Sequence, residues 1–386
     1  MRMTIQLSSE PLVEQAVQTA QTDDFGGWTF KPGLDALIDS LNHDLDLSEG
    51  TAGYFQAVIT QVLINRLEVT RLITDHPEIL DEEIRRPLVI LGLPRSGTTL
   101  LQTLLALDPT TRYLRNYESC LAICPPSDLI PTCADPRIQA YHDTMEGFFD
   151  AAPQLRGING LNFMAHGTAE CQNLTAHEFV HIGWSVGSSL FSYGDWVAGC
   201  RMKSAYEMHK RLLQVLQWKT PNERWVLKAP MHLFGLDQLL KTYPDAEVIF
   251  THRDPVKAMV SGVSLVYHWT EFSTQQADLP AIAQWYPRLF AKGLERALTV
   301  RQDFPVKQFF DIFHDRLSSD PVEVVREVYK HFNIHFSPVF EKRCRIWLTD
   351  NPRSKFGSHT YTAQTLGLNP ETEQNRFSFY REKFDV

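Results

Sequence analysis

Residues 88–102 hold the residue types and spacing that are best suited to chemistry in this 386-residue chain. They predict a short buried strand, a Gly/Pro loop and a helix that begins at two threonines. The backbone N–H groups of such a loop and the positive end of the helix dipole point at one spot, where they bind an anion such as phosphate. The spacing from Gly92 to Gly97 matches the phosphate-loop pattern, but Thr98 stands where nucleotide hydrolases carry lysine. We therefore predict an anion-binding loop made of Arg95, Ser96, Gly97, Thr98 and Thr99, in which Arg95 supplies the positive charge.

Two further cations follow predicted strands. Lys228 ends a short apolar run that begins at Arg224, and Arg253 comes just after a second apolar run at 246–250. The alternation of strands and helices predicts a parallel sheet, in which ligands bind beyond the carboxyl ends of the strands. The loop, Lys228 and Arg253 are therefore expected at one edge of one sheet.

These elements predict an α/β protein with a three-layer, P-loop-like fold. Its central parallel sheet is flanked by helices, and an N-terminal helical subdomain of residues 1–86 precedes a main domain of residues 87–386. In the first part, Ser48 and Thr51 open a helical pattern that runs from residue 54 to 73. Helical patterns are also predicted at 98–107, 137–149, 170–182, 203–218, 232–242 and 322–332.

Composition narrows the functional classes. The chain is 43% hydrophobic and 22% charged, which is ordinary for a soluble globular protein. A net charge of −9 argues against a nucleic-acid partner, since most nucleic-acid binders are basic. There is no apolar run of about 18 residues, so we expect no membrane span. The polar N-terminus and six scattered cysteines lead us to expect a cytoplasmic protein with no metal site.

Taken in order, these segments resemble the sulfotransferases that use 3′-phosphoadenosine-5′-phosphosulfate (PAPS). Residues 93–99 are similar to the loop that binds the 5′-phosphosulfate, and residues 250–255 with Ser261 are similar to the site for the 3′-phosphate. Residues 225–232, 243–246 and 320–332 match the broader bacterial branch, as does the tail from Lys355 to Tyr361. The resemblance runs from about residue 85 to the C-terminus.

The resemblance implies a reaction and a donor. A sulfonate would pass from PAPS to a hydroxyl (or amine) of a small-molecule acceptor by in-line displacement, which releases 3′-phosphoadenosine-5′-phosphate (PAP) and requires no metal. Cytosolic members of the family carry lysine in the loop, where this chain has Arg95; protein-tyrosine and several bacterial members carry arginine. The family's dimer motif has no convincing copy in this chain, so the sequence leaves the oligomeric state open.

The resemblance also assigns roles. Residues Arg95 to Thr99 would hold the 5′-phosphate and the sulfonate, and Arg253 with Ser261 would hold the 3′-phosphate. Lys228 is predicted to touch the bridging oxygen of the leaving phosphate, where a cation stabilises the developing negative charge. The basic tail segment would fold over the 3′-phosphate; its candidate residues are Arg353, Lys355 and Gly357.

An acceptor hydroxyl needs a base that removes its proton. Our first candidate is Glu118, near the end of a predicted second strand, although Arg112 and Arg115 nearby make a structural ion pair the alternative. Histidines are the second choice, and the candidates are His166, His232 and His359. Glu170 is a further candidate that could equally cap the helix it starts.

Two other functions stay open at this point. A kinase that uses ATP or GTP requires a lysine at position 98 and a magnesium-binding aspartate at a strand end; Asp254 is the one residue near such a position. A non-catalytic nucleotide-binding protein would keep the pocket and lack the base.

Overall fold

A five-stranded parallel sheet forms the centre of the protein in the computed structural model, which describes residues 5–120, 123, 135–151, 164–220, 224–352 and 362–386. The strand order is β2-β3-β1-β4-β5. All residues of β1, β3 and β4 are buried, as expected for strands covered by helices on both faces. The predicted parallel sheet is thereby confirmed. The strands are β1 (Leu88–Gly92), β2 (Thr111–Tyr113), β3 (Arg224–Lys228), β4 (Glu247–His252) and β5 (Phe309–Phe313).

Helices surround the sheet. Three precede it: α1 (Ser9–Ala20), α2 (Lys31–Asp44) and α3 (Glu49–Asp75). Between β1 and β3 lie α4 (Thr98–Leu105), α5 (Asn116–Cys120), α6 (Pro136–Ala151), α7 (Gln172–Thr175), α8 (Ile182–Ser188), α9 (Phe191–Gly199) and α10 (Lys203–Gln217). The rest of the chain adds α11 (His232–Thr242), α12 (Pro255–Thr274), α13 (Leu279–Arg301), α14 (His314–Ser319), α15 (Pro321–His331), α16 (Pro338–Asp350), α17 (Pro370–Arg376) and α18 (Ser378–Phe384).

The N-terminal helices pack against the same core as the sheet. Ser48 caps α3 by accepting a hydrogen bond from the Thr51 N–H at 3.1 Å, so the predicted helix start is correct and the helix begins at Glu49. Buried apolar residues of α1–α3 belong to one cluster with Val89 and Leu91 of β1. A division of the chain after residue 86 remains a prediction.

A buried ion pair joins these helices to the segment that follows α7. Arg66 of α3 donates to the Glu178 carboxylate at 2.6 Å, and both side chains are almost wholly buried. The same guanidinium donates to the carbonyls of Phe25 and His177. Buried charges are tolerated when they are paired and hydrogen-bonded, as here.

The helix predicted over 170–182 is wrong, because the chain turns sharply within it. Phe179 adopts a left-handed conformation with φ of 51°, which ends the helical path. His181 then starts α8 as its cap, since its Nδ1 atom accepts the Trp184 N–H at 3.2 Å. No helix in the described part of the chain has both the length and the apolar character needed to cross a bilayer.

Buried histidines provide a pH-sensitive element of this fold. His209 lies in the core and shares a 2.7 Å hydrogen bond with the Tyr243 hydroxyl. Burial lowers the pKa of His209 to about 3 and the pKa of His177 to about 4. Unfolding returns both groups to water, where the pKa of histidine is about 6.5.

We predict that the protein loses stability as the pH falls from about 6.5 towards 4. In that range the unfolded chain binds protons that the folded chain cannot, so each such histidine contributes stability that is complete above its unfolded pKa and is lost on acidification. The expected loss between pH 7 and pH 5 is about 2 kcal/mol for each histidine. Urea unfolding at several pH values measures it. His209→Gln should reduce the pH slope, whereas the exposed control His142→Gln should not; equal slopes in all three proteins would contradict the prediction.

Candidate active site

The loop between β1 and α4 has the backbone of an anion-binding site. Gly97 lies in the left-handed region with φ of 92° and stands at the N-cap of α4, where no side chain caps the helix. The first helical hydrogen bond runs from the Leu101 N–H to the Gly97 carbonyl at 3.1 Å. The N–H groups of Thr98 and Thr99 precede it, so an anion can accept from them.

Arg95 brings a half-buried positive charge to this loop. Burial lowers the pKa of its guanidinium, and the nearby Tyr286 phenol raises it by a smaller amount. Its Nε donates to the Ser261 hydroxyl at 3.0 Å, and no carboxylate of the described residues pairs with it. Arg95 also has a left-handed φ of 68°, which costs a non-glycine residue about 1–3 kcal/mol. A strained, partly desolvated cation beside an uncapped helix N-terminus fits a negatively charged ligand.

Hydrogen bonds fix the loop to the neighbouring strand. The Ser96 hydroxyl lies 2.6 Å from the Thr251 hydroxyl and donates to the Leu93 carbonyl at 2.6 Å. The sheet register pairs Gly92 with Thr251, and a Cβ atom at Gly92 would lie 2.2 Å from the Thr251 Oγ1 atom. Glycine at 92 is therefore required for the close approach of β1 and β4, and Ser96 has a structural role in the loop.

Arg253 lies beside the loop, at the end of β4. Its Nη1 donates to the Arg95 carbonyl. The residues predicted to bind the 5′-phosphosulfate and those predicted to bind the 3′-phosphate therefore lie next to each other. Its backbone N–H donates to the Tyr380 hydroxyl at 3.3 Å. Tyr380 belongs to α18, so the C-terminal helix supports this strand end. No sequence motif marks Tyr380, since a lone tyrosine in a polar tail has no characteristic spacing.

His252 reinforces the same support. It lies between strand β5 and α18, with Nε2 at 2.8 Å from Asp311 and Nδ1 at 3.1 Å from the Tyr380 hydroxyl. Arg301 completes the network by donating to both oxygens of Asp311. Burial lowers the pKa of His252, and its hydrogen bond to Asp311 opposes the shift. The residue before Arg253 thus holds the strand end in place.

Lys228 at the end of β3 forms an ion pair with Glu170. Its Nζ lies 2.5 Å from Oε1 of Glu170, and the lysine side chain is 2% exposed whereas the glutamate is 28% exposed. The Gln172 side chain donates to the other carboxylate oxygen at 2.7 Å. The segment around Glu170 is fixed to β3, because the Cys171 N–H donates to the Lys228 carbonyl at 2.8 Å. Glu170, which the sequence offered as a further candidate for the base, is therefore a partly accessible carboxylate. It lies at the edge of the sheet where β1, β3 and β4 end, which we call the reactive edge.

Glu118 has different surroundings. It lies in the short helix α5, five residues after β2 ends, and its side chain is 1% exposed. Its Oε1 accepts hydrogen bonds from Arg112 at 3.3 Å and from Arg115 at 2.9 Å. Its Oε2 accepts from the backbone N–H of Arg115 at 3.3 Å. These contacts favour the structural ion pair that was the alternative for this residue.

The histidine candidates differ in position. His232 is fully buried, and its Nδ1 lies 2.7 Å from the Tyr206 hydroxyl. Burial lowers the pKa of His232 well below the usual value, and the positive charge of Lys228 adds to the effect. His166 is exposed and packs edge-on against Tyr117. The remaining predicted residues lie outside the described part of the chain: Arg353, Lys355, Gly357 and His359.

Tyr286 of α13 is a residue that the sequence analysis missed. Burial raises the pKa of its phenol; the positive charge of Arg95 opposes this shift, and the negative charge of Glu170 adds to it. The phenol is therefore within electrostatic range of both groups. Gly262 permits this packing, since a Cβ atom there would lie 2.3 Å from the tyrosine ring. No motif marks Tyr286, because its place in the site depends on how α13 crosses α12.

The fold and the site define an α/β transferase of the P-loop-like class, with a phosphate loop that carries arginine and threonines in place of the hydrolase lysine. The Sulfotransferase family profile matches residues 87–338, and the chain belongs to this family. It is an enzyme that transfers a sulfonate group.

Relatives with solved structures cover almost the whole chain. The sulfotransferase STF9 from Mycobacterium avium is 30% identical, with a TM-score of 0.87 over 100% of this chain and 98% of that protein. STF1 from Mycobacterium tuberculosis H37Rv is 27% identical, with a TM-score of 0.85 over 98% of this chain and 100% of that protein. The omega-hydroxy-beta-dihydromenaquinone-9 sulfotransferase Stf3 of Mycobacterium bovis is 25% identical over 304 residues, which is 73% of this chain and 71% of Stf3. The predicted P-loop-like fold is thereby confirmed.

We predict that Glu118→Gln destabilises the protein, because it leaves Arg112 and Arg115 near a neutral amide in a buried place. Removing one partner of a buried ion pair costs about 3–5 kcal/mol. Chemical denaturation of Glu118→Gln, Arg115→Gln and the double variant measures the coupling between the two side chains. We expect the double variant to lose less free energy of unfolding than the two single variants lose together. Losses that add in full would contradict the pairing.

Proposed function

We propose that this enzyme takes its sulfonate from PAPS and transfers it to a hydroxyl (or amine) of a small-molecule acceptor, with release of PAP. The observation that carries the proposal is the juxtaposition of two cationic subsites: Arg95 with the uncapped start of α4 and, beside it, Arg253, whose Nη1 donates to the Arg95 carbonyl. A donor with a single phosphate group needs one such subsite, whereas PAPS has a 5′-phosphosulfate and a separate 3′-phosphate.

Each part of the donor has residues that would hold it. The N–H groups of Thr98 and Thr99 and the guanidinium of Arg95 would bind the 5′-phosphosulfate, and Arg253 and Ser261 would bind the 3′-phosphate. The predicted tail residues Arg353, Lys355 and Gly357 would add contacts to the 3′-phosphate. When bound, PAPS supplies an activated sulfonate whose bond to the phosphate oxygen breaks as the bond to the acceptor oxygen forms.

Lys228 and Glu170 supply the proton transfer and the charge stabilisation in our proposal. Glu170 accepts the proton of the acceptor hydroxyl, since its carboxylate is partly exposed at the reactive edge. Lys228 stabilises the negative charge that develops on the leaving phosphate oxygen. We prefer Glu170 to Glu118 because two arginines already donate to the Glu118 carboxylate. His232 is the weaker choice, since it is fully buried against Tyr206.

The acceptor proposal rests on the relatives. Stf3 is named for a hydroxylated menaquinone derivative as its acceptor. That name supports a small hydroxylated molecule as the acceptor of this chain. A kinase function receives no support, because the Asp254 carboxylate caps α12 by accepting from the Val256 and Lys257 N–H groups.

The donor proposal predicts that PAP binds more tightly than AMP, and that Arg253→Ala removes most of this difference. A charged hydrogen bond contributes about 1.5–3 kcal/mol, so PAP affinity should fall about 10-fold to 100-fold while AMP affinity changes little. Isothermal titration calorimetry with both nucleotides measures this. Lys257→Ala, which removes an exposed cation in the first turn of α12, is the matched control and should leave both affinities unchanged. Equal affinity of the wild-type protein for PAP and AMP would refute the assignment of a 3′-phosphate site.

The base proposal predicts different outcomes for two glutamates. Glu170→Gln should lower kcat by about 10²-fold to 10⁴-fold, which is the usual contribution of general base catalysis, while PAP affinity persists. Glu118→Gln should keep its turnover per folded molecule and lose stability. The measurement is transfer of labelled sulfonate from PAPS to a panel of hydroxylated acceptors. Loss of turnover in folded Glu118→Gln with retained turnover in Glu170→Gln would return the role of base to Glu118.

A further inference from the structure

A basic groove lies on the outer side of the molecule between α10, α11 and α13. Its volume is 1020 Å³, and six cations line it together with two carboxylates. This excess of positive charge stands out in a chain whose net charge is −9. The cations of the basic groove are Arg201, Lys203, Lys210, Arg211, Lys241 and Arg296.

The groove is separate from the sulfonate-transfer site. None of the residues that line it belongs to the loop after β1 or to the ends of β3 and β4. Helix α11 begins after the carboxyl end of β3 and leads back to the amino end of β4. The groove reaches Lys241 and Thr242 in the last turn of that helix, and so extends away from the reactive edge.

The surface of α10 sets the length of the groove. The residues it contributes are spaced at helical intervals from Lys203 to Gln214, and the opposite face of α10 is buried in the core. At a rise of about 1.5 Å for each residue, Lys203 and Arg211 are about 12 Å apart along the helix axis. The basic groove is thus a linear feature rather than a point site.

Carboxylates balance only part of this charge. Lys203 lies 3.7 Å from Glu207, and Asp237 lies 3.4 Å from Arg296 and 3.9 Å from Lys241.

The remaining three cations have no carboxylate partner among the described residues: Arg201, Lys210 and Arg211. Like charges held together in one groove repel each other, and an anionic ligand removes that repulsion. The groove is therefore complementary in charge to a ligand that carries several negative charges along a line.

We propose that the basic groove binds an acidic polypeptide segment of a partner protein. The groove is concave, so it does not match the flat surface of a bilayer. Its described lining has no aromatic side chain on which a nucleic-acid base would stack. The lining instead alternates cations with the side chains of Glu207, Gln214 and Gln238, a pattern that matches the mixed polar surface of a peptide. Leu80, which is 46% exposed, adds an apolar contact at one end.

Fluorescence anisotropy with a labelled acidic peptide tests the proposal. The probe is a helical peptide of glutamate, alanine and leucine, about 15 residues long to match α10. A peptide with glutamine in place of glutamate is the neutral probe. We expect the acidic probe to bind the full-length protein at low salt, to weaken as salt rises, and to bind at least tenfold more tightly than the neutral probe.

Charge-reversal variants locate the binding site. The double variant Lys210→Glu with Arg211→Glu, on α10, should lower the affinity for the acidic probe at least tenfold. Lys241→Glu, on α11, should also lower this affinity. The matched control is Lys330→Glu with Lys342→Glu, which changes the net charge equally on exposed residues of α15 and α16 outside the groove. That control should keep probe affinity. Sulfonate transfer should be unchanged in all of these variants, so this test is independent of the donor proposal.

Several results would overturn the proposal. Absence of acidic-probe binding, or equal binding by wild-type protein and both groove variants, would remove the groove as the site. A single-stranded oligonucleotide or phosphatidylglycerol vesicles that bind more tightly than the peptide, with the same loss in the groove variants, would replace the polypeptide by a nucleic acid or a lipid surface.

Discussion

The parallel pairing of β1 between β3 and β4 is the constraint on which the site depends. This register sets Ile90 beside Lys228 and Gly92 beside Thr251, so three strand ends finish at one edge. The groups that follow these strands therefore lie at the same edge of the sheet, where Arg253 contacts the Arg95 carbonyl. A shift of the register would move Lys228 away from the loop, because each strand advances about 3.3 Å per residue.

Positive charge at this edge is concentrated and only partly paired. Arg95 is partly desolvated and has no carboxylate partner in the described chain, whereas Lys228 has Glu170. Taking a charge out of water is unfavourable, so the rest of the fold must stabilise this edge. The supports are the close contact of Gly92 with β4 and the hydrogen bonds that Tyr380 makes at the end of that strand.

Much of the fold could be predicted, because its signals are local. Apolar runs bounded by glycine and proline gave β1, β3 and β4, and the helix after β3 has the predicted bounds of 232–242. The helix predicted at 170–182 is interrupted at Phe179, which has a left-handed backbone. Phenylalanine normally avoids this conformation, so nothing in the local sequence indicates the turn. Glu170 precedes this turn, and the hydrogen bond from the Cys171 N–H to the Lys228 carbonyl places it beside Lys228.

The sequence by itself determined the anion-binding loop, the two cations at strand ends and the family, because these depend on residue types at fixed spacing along the chain. Only the tertiary structure shows how the surroundings of the two candidate glutamates differ. Both glutamates look alike in the sequence. In the structure, arginines enclose Glu118, whereas Glu170 is partly accessible beside Lys228. Burial and charge pairing are set by contacts between segments that are distant in the chain, and so they cannot be read from its order.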